Sequence, residues 1–352
     1  MKSDRSRRDG LQDAHHPSRR ALLKAGLGAL GLLGLNPSIR CASAASGKTF
    51  KIRLGHGQAV TTPLHHACVK FAELAKERSG GRLDVGVFPS SQLGTTIELA
   101  EAVRMGTVEM YGAGNPFIET FAPRISFINL PGIMRDIDHA YKVMYLYALK
   151  EVYEKSLLPV GIRPLGFVHN GFRHFTNNKR PIRTLADLKG LKIRTPPGKV
   201  FLDTVAALGA NPVPMDWSEV FSALQQGVVD GQENPFIQVW SAKFYEVQKY
   251  LTLTSHMWDT YVLTINEKFF QGLDPDLQKI VVEAGREGTD FGWHEMTKIN
   301  DDLLGTLKGL GMTVTEIDKQ DVVNAVKPVW NTWTDKFGAE GKGIIQRVVE
   351  IK

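Results

Sequence analysis

At 352 residues the chain exceeds what one hydrophobic core usually serves, so two lobes are expected. Its composition, 43% hydrophobic and 23% charged, excludes collagen-like and disordered classes. The net charge of +6 is local: residues 1–44 hold eight Lys or Arg against three Asp, leaving the remainder near neutral and nucleic-acid binding without its main support.

The leader comes first. Ser18-Arg19-Arg20-Ala21-Leu22-Leu23-Lys24 precedes an apolar run from Ala25 to Leu35, and Ala42-Ser43-Ala44 ends it. A positive start, a short apolar middle and a small-residue end make residues 1–44 a secretory signal, and the paired arginines give it a twin-arginine character. The run is too short to span a bilayer. Gly26-Leu27-Gly28-Ala29-Leu30-Gly31 spells a dinucleotide fingerprint, but no strand precedes it and cleavage would remove it. Cleavage also leaves Cys68 as the one cysteine, so no intramolecular disulfide is expected, and Cys68 reads as a small core residue.

Beyond the leader, strand and helix signals alternate. Phe50 to Leu54 reads as a strand, and Leu64, Ala67, Cys68, Phe71, Leu74 and Ala75 recur at helical spacing before Gly80-Gly81. Leu83–Phe88 alternates as a strand. Thr95 with Glu98 is a capping-box start for a helix ending near Gly106. Strands follow at Val108–Tyr111 and Val160–Val168, with a helix from Asp136 to Lys155 between them. A second block carries strands at Leu191–Thr195 and Val228–Asp230, with helices at Gly198–Leu208 and Trp217–Gln226. Tyr261–Ile265 is a further strand, Pro275–Leu310 a long helix and Met312–Ile317 a strand, with a final helical region. This order predicts an α/β fold built on parallel crossovers.

The residues that carry chemistry cluster between Leu185 and Phe236. Arg194 ends a strand just before Pro196, where open α/β sheets bind their ligands. Its planar fork suits a carboxylate, and Asn234 offers an amide to the same anion. From composition alone, Arg194 is either such a clamp or a surface ion-pair partner. There is no His-Glu-x-x-His, Cys-x-x-Cys or Gly-x-Ser-x-Gly, and His65-His66 point to different helix faces. These absences count against an enzyme, and no cofactor and no metal are expected. The rival is an exported enzyme acting on an organic acid, since twin-arginine signals accompany folded enzymes.

Five segments then appear in one order: Phe88-Pro89-Ser90-Ser91-Gln92-Leu93-Gly94, Asn170-Gly171-Phe172-Arg173, Gly190–Arg194, Leu208–Pro214 and Ala223–Pro235. With them, about residues 50–350 resemble the solute-binding subunits of tripartite ATP-independent periplasmic transporters, a family named for its C4-dicarboxylate binders. The resemblance implies a periplasmic-binding-protein-like fold: two α/β lobes joined by crossing segments and a long hinge helix, closing on an organic acid. It implies residues 45–170 plus 260–298 as one lobe, and 171–259 plus 299–352 as the other. By position, Arg194 resembles the principal carboxylate-binding arginine, Arg173 a second arginine, Asn234 the completing asparagine and Trp217 an aromatic wall. Gly114-Asn115 stand where the family's sialic-acid binders carry a glutamate, which makes Asn115 a candidate contact and that ligand doubtful. His56 and Gln58 either reach the cleft or are ordinary loop residues. A periplasmic location and delivery to integral membrane subunits driven by a cation gradient are the implied setting. Feeding an ATP-driven transporter or a sensor is the alternative.

Overall fold

A computed structural model describes residues 47–352. The expected twin-arginine leader, with its cleavage signal, lies outside the described residues. Eleven strands occur among those described: β1 (Phe50–Gly55), β2 (Leu83–Phe88), β3 (Met110–Gly114), β4 (Ile162–Phe172), β5 (His174–Asn177) and β6 (Lys192–Thr195). The others are β7 (Asn211–Pro214), β8 (Gly231–Asn234), β9 (Tyr250–Leu253), β10 (Trp258–Asn266) and β11 (Thr313–Glu316). They form two sheets, one ordered β2-β1-β3-β10-β4 and one β11-β9-β5-β8-β6-β7. Each sheet mixes parallel crossovers with antiparallel pairs: β10 runs antiparallel to β3 and β4, and β5 antiparallel to β8 and β9. Two α/β lobes result, as expected.

The helices form where periodicity and caps demand. Helix Pro63–Arg78 starts with proline in its first turn and buries Leu64, Ala67, Cys68, Phe71, Leu74 and Ala75. Helix Thr96–Met105 carries the complete Thr95/Glu98 capping box and stops on left-handed Gly106. Residues expected as one helix from Asp136 divide into an α-helix at Ile137–Lys142 and a π-helical stretch at Val143–Glu154. The long helix Pro275–Gly309 packs on helix Pro63–Arg78 and on β4. Their close approach needs glycine. A Cβ on Gly292 would stand 2.7 Å from the Ala67 Cβ and 2.9 Å from the Pro63 carbonyl oxygen. Gly292→Ala is therefore expected to lower stability by about 1–3 kcal/mol, although alanine is the better helix former by about 1 kcal/mol. Chemical denaturation measures the difference.

The lobes are joined at three places. A single residue, Arg173, separates β4 of the first sheet from β5 of the second. Thr254–Met257 return the chain from β9 to β10, and the Arg173 N–H donates to the Met257 carbonyl at 2.8 Å, tying the two crossings together. The long helix provides the third link. One feature departs from the expected division, which gave all of 299–352 to the second lobe. Helix Lys319–Lys336 does pack on the second-lobe helix Lys199–Ala207. Helix Gly338–Glu350 instead lies on first-lobe residues, where Arg135 and His139 bond the carbonyls of Val349 and Val348. Its apolar face of Ile344, Ile345 and Val348 joins the same cluster as Ile125, Phe127 and Ile128.

Candidate functional site

Between the lobes lies a small cavity of about 30 Å³. The first lobe lines it with Gln58, Gly114, Pro116, Phe117, Asn170, Asp259 and Tyr261, the second with Arg194, Pro196, Trp217 and Asn234, and the crossing residue Arg173 completes the wall.

Arg194 comes from β6, which pairs with β7 and β8 and delivers the side chain from inside the sheet. It is 1% exposed. Its Nε and Nη2 donate to the Met215 carbonyl at 3.1 and 2.7 Å, and no carboxylate of the described residues forms an ion pair with it. Burial, and then the like charge of Arg173, pushes its pKa down to about 9, so it remains a cation at neutral pH. The Trp217 ring lies 5.9 Å from the guanidinium carbon and is itself held against Phe244. Across the cleft, a Cβ on Gly57 would meet Trp217 Cδ1 at 3.3 Å and Thr96 Cγ2 at 2.7 Å, so glycine lets the indole close on the first lobe.

Arg173 is buried as deeply but is paired. Its Nε donates to Glu233 Oε2 at 2.5 Å, its Nη2 to Glu233 Oε1 at 2.9 Å and its Nη1 to Asp259 Oδ2 at 2.9 Å. Burial works against the Arg173 charge, but Glu233 and Asp259 outweigh it and raise its pKa. Burial alone would raise the Glu233 carboxyl too; Arg173 and His256 together hold it below its usual range. Because Asp259 stands on the returning strand β10 and Glu233 on β8, this network fastens both lobe crossings. Asn234 follows Glu233, lines the cavity and donates its amide to Gln232.

Two expected contacts lie elsewhere. The Asn115 amide donates to Asn129 Oδ1 at 2.7 Å and to the Ile125 carbonyl at 3.3 Å, and its oxygen accepts from the Tyr153 hydroxyl at 2.6 Å. These bonds occupy the side chain, and its neighbours Gly114 and Pro116 line the cavity instead. His56 is likewise not a lining residue: its Nδ1 accepts the Gln58 N–H at 3.2 Å and its Nε2 meets His65 Nδ1 at 3.1 Å. It is Gln58 that reaches the cavity. Burial, aided by His65, pushes the His56 pKa down to about 3. A histidine held neutral in this way stabilises the fold above its unfolded pKa of about 6.5, and that stability is lost as pH falls toward 3. His56 alone is expected to cost about 2 kcal/mol between pH 7 and 5. Urea titrations of the protein and of His56→Gln at both pH values isolate that share.

Asp259, Asn170 and Tyr261 were missed as site residues. The signal was present: Asp259 is a lone carboxylate at the head of the otherwise uncharged strand Trp258–Asn266.

A clasp closes the rim. Asp216 of the second lobe accepts from Thr96 Oγ1 at 2.5 Å and from the Ile97 N–H at 3.1 Å, at the start of first-lobe helix Thr96–Met105. Its other oxygen is held by Ser218 N and Oγ at 2.9 and 2.8 Å. A carboxylate suits the positive end of a helix. Asp216→Ala is expected to speed ligand dissociation about tenfold, with association little changed; stopped-flow fluorescence reads both rates.

Residues 54–336 match the family model described as bacterial extracellular solute-binding protein, family 7. The 2,3-diketo-L-gulonate-binding periplasmic protein of Escherichia coli K12 is 32% identical over 302 residues, 86% of this chain and 92% of that one. The C4-dicarboxylate-binding periplasmic protein of Rhodobacter capsulatus is 33% identical over 329 residues, 91% of this chain and 96% of its own. A crystal structure of a TRAP periplasmic solute-binding protein from Polaromonas, bound to D-erythronate, superposes with a TM-score of 0.81. It shares 32% identity and covers 87% of this chain and 99% of its own. With a two-lobed fold, a cavity at the lobe crossing and a match across most of its length, this chain belongs to the family 7 bacterial extracellular solute-binding proteins.

Proposed function

We propose that this solute-binding protein captures a small organic acid by its carboxylate on Arg194, between closing lobes, and hands it to the membrane subunits of a TRAP transporter. One observation carries the reading: Arg194 is a buried cation whose ion-pair partner is missing among the described residues, at the wall of an interlobe cavity. Burying a charge unpaired is costly, and a fork-shaped cation is best neutralised by a carboxylate. Asn234 offers the same anion a neutral hydrogen-bonding group, Trp217 an apolar face, and Arg173 braces the wall. The relatives support the ligand class, since 2,3-diketo-L-gulonate, D-erythronate and C4-dicarboxylates are all carboxylic acids.

The crossing segments and long helix supply the hinge, and closure strips water from the bound anion, strengthening its hydrogen bonds. The family and the leader support a periplasmic setting, and no described helix is long and apolar enough to cross a membrane. A thermal-shift screen of the protein against organic acids tests the reading. A ligand at a hundred times its Kd stabilises by about 2.7 kcal/mol, a shift of several degrees. Absence of any shift across mono- and dicarboxylic acids would sink it.

A further inference from the structure

Away from the cavity, one carboxyl is sealed between the lobes without a cation. Glu119 follows the short first-lobe helix Asn115–Ile118, is 5% exposed, and its Oε2 is shut off from solvent without a hydrogen-bond partner. A Cβ on Gly198, the residue that opens the second-lobe helix Lys199–Ala207, would stand 2.6 Å from Glu119 Oε1. The second lobe therefore lies directly on the carboxyl, and only glycine lets it come so near.

The surrounding charges do not neutralise it. Lys199 and Lys336 border the same seam, but Lys199 Nζ turns to Asp203 at 3.4 Å and Lys336 lies 4.4 Å over the Trp333 ring. Asp259 faces Glu119 from β10 as a like charge, and Tyr153 faces it as a neutral phenol whose hydroxyl is given to Asn115. Burial, and then Asp259, raises the Glu119 pKa well above the usual carboxylate range, with the Lys199 backbone N–H opposing them. Once the second lobe moves away, water reaches the carboxyl and its ordinary acidity returns.

We propose that Glu119 makes lobe closure proton-linked: ionised in the open protein, it takes one proton from solvent as helix Lys199–Ala207 closes over it and returns that proton on opening. Between the ordinary carboxylate range and the raised one, closure gains as pH falls. Cargo held by the closed form then binds more tightly, by up to about tenfold per pH unit for a single proton. The proposal uses the hinge and not Arg194, so it is tested without cargo.

Small-angle X-ray scattering of the unliganded protein at pH 5 and pH 8 is expected to give a smaller radius of gyration at pH 5. Glu119→Gln keeps the shape without the charge and is expected to be compact at both. Glu119→Met is a second neutral variant, and circular dichroism verifies that each is folded. Infrared difference spectra at pH 6 are expected to show the carbonyl stretch of a protonated carboxyl in the parent and not in either variant. A parent radius that ignores pH, a folded neutral variant that expands with pH as the parent does, or no such stretch assignable to Glu119 overturns the proposal and leaves the Arg194 reading standing.

Discussion

Arg194→Ala is expected to weaken carboxylate binding at least a hundredfold while leaving the unliganded protein as stable as before, or more so. The affinity loss follows from leaving a ligand carboxylate buried without its partner, worth about 3–5 kcal/mol. The stability follows from the other half of the same geometry. The unliganded fold keeps a guanidinium 99% out of water with only the Met215 carbonyl against it, so deleting the charge removes a cost. Arg194→Lys should recover little, because an ammonium lacks the fork that reaches one carbonyl and one carboxylate together. Calorimetry gives the affinity and urea denaturation the stability. Full-strength binding by the alanine variant would remove Arg194 from the site.

The opposite pattern is expected at Arg173. Arg173→Met keeps much of the volume but leaves Glu233 and Asp259 buried without their cation, and should cost about 3–5 kcal/mol of stability. Because those two carboxylates lie on different lobes, the loss falls on the hinge itself. Unfolding broader than the parent's, or in two stages, is expected. Two buried arginines on neighbouring elements would thus separate cleanly, one read in ligand affinity and the other in folding. A variant as stable as the parent would show that the network does not hold the crossings.

Much of this was legible in the chain. The Thr95/Glu98 box, the apolar stripe from Leu64 to Ala75 and the long helix from Pro275 depend on neighbours within a few residues, and local periodicity shows them. Strand β8 was harder. Its sequence Gly-Gln-Glu-Asn contains no apolar residue, yet all four are buried, because its side chains build the ion-pair network. The expected strand at Val228–Asp230 followed the valines and fell short of it. Strand β5, one residue beyond β4, is equally invisible to any rule that expects a turn between strands. His56 looked like a cleft residue because it follows strand β1, and Asn115 because the resemblance sets it where sialic-acid binders carry a glutamate. Their partners Asn129, Tyr153 and His65 come from other elements, and only the folded chain brings them together. Arg194 was placed by its position before Pro196; its lack of an ion-pair partner required the structure.

The contact of Asp216 with the first helical turn at Thr96 bears on how cargo leaves. Its bonds cross between the lobes, yet it directly follows Met215, whose carbonyl takes the Arg194 guanidinium, so the lifetime of the loaded state is coupled to the residue that grips the cargo. A docking surface that competed for the amide of Ile97 would prise open the edge and disturb the backbone that Arg194 bonds at the same stroke.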